Sequence, residues 1–581
     1  MEQYYTNERN VQILIALLKE YGIKRVIASP GSTNVTFVGS IQQDSWFEIY
    51  SSVDERSAAY IACGIAAETK EPVVLSCTGA TASRNYFPGL TEAYYRKLPV
   101  LAVTSTQDES KIGQLIPQVI NRTQQPLDTV KLSEYLQTIK DSDDEWNVTL
   151  KANSALLELN HHGMGPVHVN LATRYSKDFS VKSLPPVKKI CRYTAIDNLP
   201  PITQGKIAVY IGSHLRWTEQ EVQALEAFCE KYNAAAFCDT TANYTGKYRV
   251  NYNLATCQKL KDININPDLL IHIGDMSDQA GMVGIPREVW RVSPDGILSD
   301  RYKALRNVFE MSEYDFFSHY ASLPNVGVHE SYLYSCKSTT ESLQSKIPEL
   351  PWSHIYVACK LHDKIPAPST VHLGILSPLR SWSYFDFHPT VEVYCNQGGF
   401  GIDGNISSLL GASLMHPKRL YFAVVGDLSF FYDLNTVGNR HVGKNIRILL
   451  VNNALGAEFH LFKQLNSIYV NDIPKYLSAG GHFGHQSPTL VRHYAEDLGY
   501  EYLSASNKKE FEQVYSRFVT PELTEKPMIF EVFTKVEDEN EALKQMWNIE
   551  IDTSLKGNVK RVAKGLLGES GINTIKSILK K

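Results

Sequence analysis

Asp427 and Asn453 have the residue types and the positions of a metal-binding pair. Asp427 comes soon after the apolar run at residues 420–425, and Asn453 comes soon after a second run at 446–451. Runs of this length indicate buried parallel strands, so both side chains are expected at the carboxyl edge of one sheet. A carboxylate and an amide oxygen there suit a hard divalent cation that also holds a diphosphate, although a turn and a helix cap would use the same residues. The predicted Mg²⁺ shell consists of the Asp427 carboxylate, the Asn453 side-chain oxygen and the backbone carbonyl of Leu455.

Glu55 is the second candidate for chemistry. It stands in the motif Asp-Glu-Arg-Ser at residues 54–57, at the predicted start of an alanine-rich helix. On its own, a glutamate at a helix start is most often a favourable charge near the macrodipole. Val53 and the alanines of this helix are expected to bury the carboxyl group, which would fit it for sharing a proton.

The elements that must position these residues alternate between strand and helix. The predicted strands are residues 25–28, 72–77, 98–104, 165–171, 207–211, 234–238, 269–273, 289–292, 420–425, 446–451 and 527–533, and the clearest helices are residues 8–21, 58–67 and 219–232. This alternation is typical of doubly wound α/β domains with parallel sheets. Asp433 and Asn435 are expected to cap or line the helix that follows the strand at 420–425.

Three such domains are predicted, at residues 1–182, 202–325 and 350–540. The Pro- and Lys-rich residues 182–201 are expected to form the first linker, and residues 326–350 the second boundary. The length of 581 residues favours this division, because it exceeds what one core usually organises. Residues 545–581 read as a basic amphipathic tail, for which a solvated helix or a subunit contact is favoured over contact with a membrane surface.

Composition excludes several classes of protein. A hydrophobic content of 43% with 21% charged residues is typical of a globular protein, and the net charge of -4 argues against nucleic acid as the main partner. The nine cysteines are scattered without a Cys-x-x-Cys pair, as expected in a reducing cytoplasm. Because the polar N-terminus leads directly into a helix and no apolar run reaches membrane-spanning length, a cytoplasmic location without a signal peptide is expected.

Five motifs, in this order, resemble those of the thiamine diphosphate-dependent enzymes, and among them the family of the menaquinone-pathway (MenD) synthases. The motifs are Ser-Pro-Gly-Ser at 29–32, Asp-Glu-Arg-Ser at 54–57, Gly-Pro-Val-His-Val-Asn at 165–170, Gly-Ile-Asp-Gly at 401–404 and the block at 426–435. The resemblance spans residues 8–535 and therefore all three predicted domains.

The resemblance implies thiamine diphosphate and Mg²⁺ as cofactors, with decarboxylation of a 2-oxo acid and transfer of its acyl anion to an acceptor. It assigns the aminopyrimidine to the first domain, the diphosphate to the third, and no catalytic group to the central one. Glu55 would bond the pyrimidine ring nitrogen, and Ile402 would wedge the cofactor into its bent shape. The other cofactor-binding residues that it implies are Pro30, Gly31, Ser32, Thr78, Gly79, Gly426, Asp427, Leu428, Ser429 and Asn453. Since the first and third domains of this family face each other from different subunits, a homodimer or homotetramer is implied.

The chain departs from the family on the substrate side. The family places an arginine after the Ser-Pro-Gly-Ser motif and another shortly before Gly-Ile-Asp-Gly, where this chain has Thr33 and Gln397. Each charge-assisted hydrogen bond lost in this way would be worth about 1.5–3 kcal/mol. Gln118 matches a substrate-side glutamine of the family, and Arg380 matches a retained arginine. A MenD-like carboligase with altered substrates is therefore predicted.

Three alternatives remain open at the level of the sequence. The first is a 2-oxo acid decarboxylase that releases an aldehyde without ligation, and the second is the menaquinone-pathway synthase itself. The third is a catalytically silent binding or regulatory subunit, which the presence of Glu55, Asp427 and Asn453 disfavours.

Three histidines are interpreted as structural. The pair His161-His162 precedes the strand at 165–171 and is expected in a surface turn. His168 lies within that strand and is expected to be a satisfied core histidine.

Overall fold

The computed structural model describes residues 4–196, 198–203, 205–258, 265–324, 331–461, 476–481 and 487–550. These residues divide into two compact units. The first unit consists of Met1–Leu199 with Val289–Met311, and the second of Pro200–Glu288 with Ser312–Lys581.

The first unit is built on a six-stranded parallel sheet in the order β2-β1-β3-β4-β6-β5. Its strands are β1 (Arg25–Ala28), β2 (Glu48–Ser51), β3 (Val73–Cys77), β4 (Val100–Thr106), β5 (Leu132–Leu136) and β6 (Val167–Ala172). Its helices are α1 (Arg9–Glu20), α2 (Val35–Ile41), α3 (Glu55–Thr69), α4 (Thr81–Asn85), α5 (Phe87–Tyr95) and α6 (Ser142–Glu158). Apolar side chains of α1 and α6 belong to one core cluster with strand residues, and those of α3 and α5 to another.

The last part of the second unit contains a sheet with the same strand order, β15-β14-β16-β17-β19-β18. Its strands are β14 (Ser369–Leu373), β15 (Val391–Cys395), β16 (Leu420–Gly426), β17 (Ile446–Asn452), β18 (Glu501–Ala505) and β19 (Met528–Phe533). Its helices are α11 (His354–Leu361), α12 (Ser377–Ser383), α13 (Asn405–Met415), α14 (Asp427–Tyr432), α15 (Leu434–Val437), α16 (Leu490–Asp497), α17 (Lys508–Phe518) and α18 (Val536–Met546).

The middle of the chain supplies further parallel strands. In the second unit, β8 (Ile207–Ile211), β9 (Ala235–Cys238), β10 (Arg249–Val250) and β11 (Leu269–Ile273) run in the order β10-β9-β8-β11, with α7 (Glu219–Tyr232), α8 (Asn253–Thr256), α9 (Glu313–Ser322) and α10 (Tyr332–Gln344). In the first unit, β7 (Cys191–Tyr193), β12 (Glu288–Val292) and β13 (Leu305–Phe309) run in the order β12-β13-β7.

The predicted fold class, three parallel-sheet α/β domains, is confirmed by these sheets. Two features differ from the prediction. The stretch at 182–201 contains the short strand β7, and the expected boundary at 326–350 contains α10. The predicted tail lies almost entirely outside the described residues, which end at Glu550. Within the described ranges, no helix combines the length and apolar character needed to cross a membrane. None of the nine cysteines, all of which are described, forms a disulfide.

Candidate functional site

A cleft opens where β14 and β16 end. In the order β15-β14-β16, successive connections leave β14 in opposite directions, and ligands of open α/β sheets bind at such a switch point. The cleft has a volume of about 800 Å³. The predicted residues that line it are Ile402, Gly426, Asp427, Leu428, Ser429, Asn453 and Leu455. The structure thus brings together every cofactor and metal residue predicted for this domain.

Asp427 and Asn453 both present buried side-chain oxygen atoms that a cation could bind. The Asp427 carboxylate is buried and accepts a hydrogen bond from the backbone N–H of Leu428 at 2.8 Å. Burial raises its pKa to about 7, although nearby backbone N–H groups, including those of Ala454 and Leu455, act in the opposite direction. The Asn453 Oδ1 atom is buried without a hydrogen-bond partner. A hard cation would satisfy both oxygens, so these residues fit Mg²⁺.

Ile402 is held in the cleft through its backbone. Its carbonyl oxygen accepts hydrogen bonds from Ser429 Oγ at 2.6 Å and from Asn405 Nδ2 at 2.9 Å. Asp433 accepts the backbone N–H groups of Ile406 and Ser407 at 2.7 and 3.0 Å. Asp433 lies at the N-terminal end of α15, the following helix, but its side chain caps α13, which precedes it in the chain. Asn435 lies within α15.

The first unit has the equivalent crevice between the ends of β1 and β3. A Cβ atom on Gly31 would lie 2.6 Å from the Thr78 Cβ, so only glycine permits this approach of the two loops. The Thr33 hydroxyl bonds to the Thr78 hydroxyl and accepts the Gly79 backbone N–H at 3.1 Å. Pro30 and Ser32 flank Gly31 and are exposed. The predicted pyrimidine-side residues therefore meet at one edge of the sheet.

Glu55 begins α3 at the same edge. Its carboxylate accepts a hydrogen bond from Asn85 Nδ2 at 3.0 Å, a partner that the sequence did not indicate. The alanines of α3 pack inward as expected, but the side chain of Val53 is 81% exposed and Glu55 is only half-buried. The prediction that Val53 buries Glu55 is wrong for the single chain, because Val53, two residues before the helix, is exposed and lies outside the α3–α5 core.

The four predicted substrate residues occupy different surroundings. Thr33 is buried, and Gln118 is exposed on a loop near Gly79. Arg380 makes two hydrogen bonds to Glu458, at 3.0 and 2.6 Å, and Glu458 lines the cleft. Gln397 is buried and does not line the cleft. It accepts the Asp278 N–H at 2.8 Å and donates to Thr241 Oγ1 at 3.0 Å.

Arg122 is a residue that sequence reasoning missed. It is 2% exposed, and its Nη2 donates to the backbone carbonyl of Ser105, at the end of β4, at 2.8 Å. Its Nε and Nη1 atoms are buried without partners, and burial lowers its pKa to about 10. A Cβ on Gly79 would lie 3.8 Å from Nη2, which puts the guanidinium directly behind the crevice. In the sequence, the position of Arg122 only four residues after Gln118 was the one feature that could have indicated it.

Comparisons with known proteins agree with this arrangement. Residues 9–132 match the family model described as "Thiamine pyrophosphate enzyme, N-terminal TPP binding domain". The 2-succinyl-5-enolpyruvyl-6-hydroxy-3-cyclohexene-1-carboxylate synthase of Bacteroides fragilis is 32% identical over 562 residues, covering 94% of this chain and 99% of the relative. The synthase of the same name from Phocaeicola vulgatus is 30% identical, with the same coverage. That of Flavobacterium johnsoniae is 26% identical and covers 78% of this chain and 84% of the relative.

Two switch-point sites on parallel sheets, one with a metal-binding pair, and the matched domain define a thiamine diphosphate-dependent enzyme. Identity of 32% across nearly the whole of both chains narrows the class further. The chain belongs to the family of the 2-succinyl-5-enolpyruvyl-6-hydroxy-3-cyclohexene-1-carboxylate synthases. The predicted family, the cofactor pair of thiamine diphosphate and Mg²⁺, and the activity of a 2-oxo acid decarboxylase and carboligase are therefore confirmed.

Proposed function

We propose that this enzyme transfers the succinyl unit of 2-oxoglutarate to isochorismate, the reaction that corresponds to the name of its relatives. The observation that carries the proposal is the similarity to the Bacteroides fragilis synthase, which extends over 99% of that protein and includes both cofactor crevices. A silent subunit is disfavoured, because the buried Asp427 carboxylate and the unpartnered Asn453 Oδ1 both suit a cation.

Each residue of the site has a defined task in this proposal. Asp427, Asn453 and Leu455 would hold Mg²⁺ and, through it, the cofactor diphosphate. Thiamine diphosphate supplies, when bound, the electron sink that lets a 2-oxo acid lose carbon dioxide. Glu55, oriented by Asn85, would hold the proton at the pyrimidine ring nitrogen. Ser429 and Asn405 fix the backbone of Ile402 so that its side chain can support the cofactor.

A MenD-like enzyme with altered substrates is the second candidate. It is favoured by Thr33, which stands where the family has an arginine, and by the engagement of Arg380 with Glu458. Two observations make an enzyme with altered substrates less favoured. Gln397 bonds within a buried network away from the cleft, and Arg122 brings another guanidinium to the crevice beside Thr33. We propose that the field of Arg122 attracts a substrate carboxylate, since a desolvated charge is poorly screened.

We further propose a homodimer or homotetramer with shared active sites, and domains at 1–182, 202–325 and 350–540. Exposed large apolar side chains near Glu55, at Val53, Tyr60 and Ile61, support a subunit contact there. A cytoplasmic location remains a prediction, supported by nine cysteines without a disulfide.

The decisive assay supplies 2-oxoglutarate with and without isochorismate and measures both carbon dioxide and the ligated product. Product formation by the wild-type enzyme is expected. Glu55→Gln should reduce turnover at least about 100-fold, because an amide cannot exchange the proton. Glu68→Gln, which changes an exposed glutamate of the same helix, should keep wild-type activity.

Carbon dioxide with aldehyde and no ligated product would favour a simple decarboxylase. Ligation only with other acids would favour altered substrates. Equal turnover by wild type and Glu55→Gln would contradict the mechanism.

Arg122→Met separates a substrate role from a structural one. Methionine fills similar space without a charge, so the free protein should become more stable, by about 1–3 kcal/mol. The KM for a carboxylate substrate should rise about tenfold with little change in kcat. Lower stability with an unchanged KM would show that Arg122 only supports the loop. Arg122→Lys, which keeps the charge, should retain most of the affinity.

A further inference from the structure

A second cluster of metal-ligand side chains lies in the first unit, apart from the cofactor crevice residues. The Nε2 atoms of His161 and His162 point at the two oxygens of one carboxylate, that of Glu310, at 2.7 and 2.9 Å. The two imidazole rings stack with centroids 3.6 Å apart. The three ligand groups lie within 4.8 Å of one another. The two histidines begin a turn, as expected, in which the Met164 N–H donates to the His161 carbonyl, but the side chain of His161 is only 9% exposed.

Three imidazole nitrogens of this cluster each face a carboxylate oxygen, at 2.7 to 2.9 Å. His161 faces a carboxylate on each side, since its Nδ1 lies 2.9 Å from Glu158 Oε2. A neutral imidazole carries one N–H and can therefore donate to only one of these two carboxylates. The charge of Glu158 is in addition already matched by Lys131 at 3.2 Å and Arg192 at 3.5 Å.

A divalent cation fits the arrangement, because it can take the place of the protons between the two Nε2 atoms and Glu310. With the cation between both Nε2 atoms and Glu310, His161 stays neutral and gives its single N–H from Nδ1 to Glu158. A carboxylate on the far nitrogen of a metal-bound histidine is the usual outer-shell partner, which fixes the ring and its tautomer. Two imidazoles and one carboxylate suit Zn²⁺, with water as the fourth ligand.

The site also has room to adjust. Zinc bonds of about 2.0–2.2 Å separate tetrahedral ligands by about 3.3 Å, so the contacts must open by about half an ångström. The side chain of His162 is 68% exposed, which allows this movement and gives the ion and its water a path from solvent. The backbone φ is positive at His162, a strained conformation in the turn from which both histidines reach Glu310.

We propose that His161, His162 and Glu310 form a zinc-binding site with one position left to water. His161 and His162 follow α6, and Glu310 follows β13, which lies 149 residues further along the chain from His161. The zinc ion therefore joins two distant segments of the first unit. This role does not depend on the substrates of the enzyme.

Zinc chloride titration tests the site by calorimetry. The full-length holoenzyme is first stripped with a chelator selective for transition metals and kept in saturating Mg²⁺ and thiamine diphosphate, so that the Asp427 site is filled. The wild type should bind one zinc per chain and melt at a higher temperature with zinc. His162→Gln and Glu310→Gln should bind zinc at least about tenfold more weakly, as expected for the loss of one of three ligands. His441→Gln, which changes an exposed histidine elsewhere, should bind like the wild type.

Cobalt gives a second readout that folding defects do not mimic. Co²⁺ bound by the wild type should show the intense visible absorption of a tetrahedral site, and His162→Gln should lose it while keeping the wild-type far-UV circular dichroism. The proposal is overturned if the wild type binds no zinc, or if all variants bind it equally. It is also overturned if His162→Gln changes the melting temperature equally with and without zinc, because the cluster would then be an ion-pair network only.

Discussion

Asn452 and Asn453 are adjacent amides with opposite bonding. Asn452 is fully engaged, because its Nδ2 donates to Glu531 at 2.7 Å and its Oδ1 accepts the Ala454 N–H at 3.1 Å. Asn453 has a buried Oδ1 without a partner. An unsatisfied acceptor is costly, so its retention at the cleft is explained by a ligand and not by stability of the free chain.

Substitution of each amide by alanine should therefore give opposite results. Asn452→Ala leaves Glu531 short of a donor and should lower the free energy of unfolding by about 1–3 kcal/mol. Asn453→Ala should leave the stability of the metal-free protein unchanged or slightly higher, yet weaken Mg²⁺ binding about 10- to 100-fold. Chemical denaturation and Mg²⁺ titration with bound thiamine diphosphate measure the two effects. Unchanged Mg²⁺ affinity in Asn453→Ala would remove Asn453 from the metal shell.

At the scale of elements, α3 and α5 depend on small residues where they cross. A Cβ on Gly89 of α5 would lie 2.9 Å from the backbone carbonyl carbon of Ala59 in α3. Gly64, also in α3, has no atom within 4 Å of the equivalent position.

Gly89→Ala should destabilise the protein by about 1–3 kcal/mol, because the helices must separate. Gly64→Ala should leave stability unchanged or raise it by about 0.5–1 kcal/mol, because alanine is the better helix former. Urea unfolding of both variants makes the comparison. Equal effects would mean that backbone preference, and not helix contact, determines both results.

Two central strands bury a neutral histidine, and this predicts the response to acid. Burial lowers the pKa of His168 in β6 to about 3 and that of His372 in β14 to about 4. Since the unfolded chain takes up these protons below about pH 6.5 and the folded chain does not, stability is complete above that pH and falls below it. Each histidine should cost about 1 kcal/mol between pH 6.5 and 5.5. Unfolding measured across this range should show a shallower slope for His168→Gln, whatever its stability at pH 7.5.

The sequence predicted the elements better than their contacts. The bounds of β1, α7, β8 and β11 match the predicted residues, because apolar periodicity and turn residues are local signals. After Gly79 the chain forms two short helices, α4 and α5, with a break at Tyr86, because Pro88 has no N–H for an internal helical bond. His168 was predicted to be a satisfied core histidine, and it forms hydrogen bonds with Thr104 and Ser133. Arg122 and the cluster of His161 with Glu310 were missed, because their surroundings come from distant segments.

At the scale of the whole molecule, the predicted catalytic groups are divided between the two units. Glu55 belongs to the first unit and Asp427 to the second. Three large apolar side chains near Glu55 are exposed in the single chain, those of Val53, Tyr60 and Ile61. An exposed apolar patch of this kind usually marks a contact surface. A subunit arrangement in which each site takes Glu55 from one chain and Asp427 from another would cover them.

Complementation between two inactive variants tests this arrangement. Glu55→Gln and Asp427→Asn should each be inactive alone. If sites are shared across a symmetric dimer, each mixed dimer has one site with both substitutions and one with neither. Random mixing after reversible dissociation should then restore roughly a quarter of wild-type activity, because half of the dimers are mixed and half of their sites are intact. If each site lies within one chain, every site in the mixture carries a substitution, and no activity should return. Mixing each variant with Glu68→Gln, an otherwise intact chain, controls for losses during exchange.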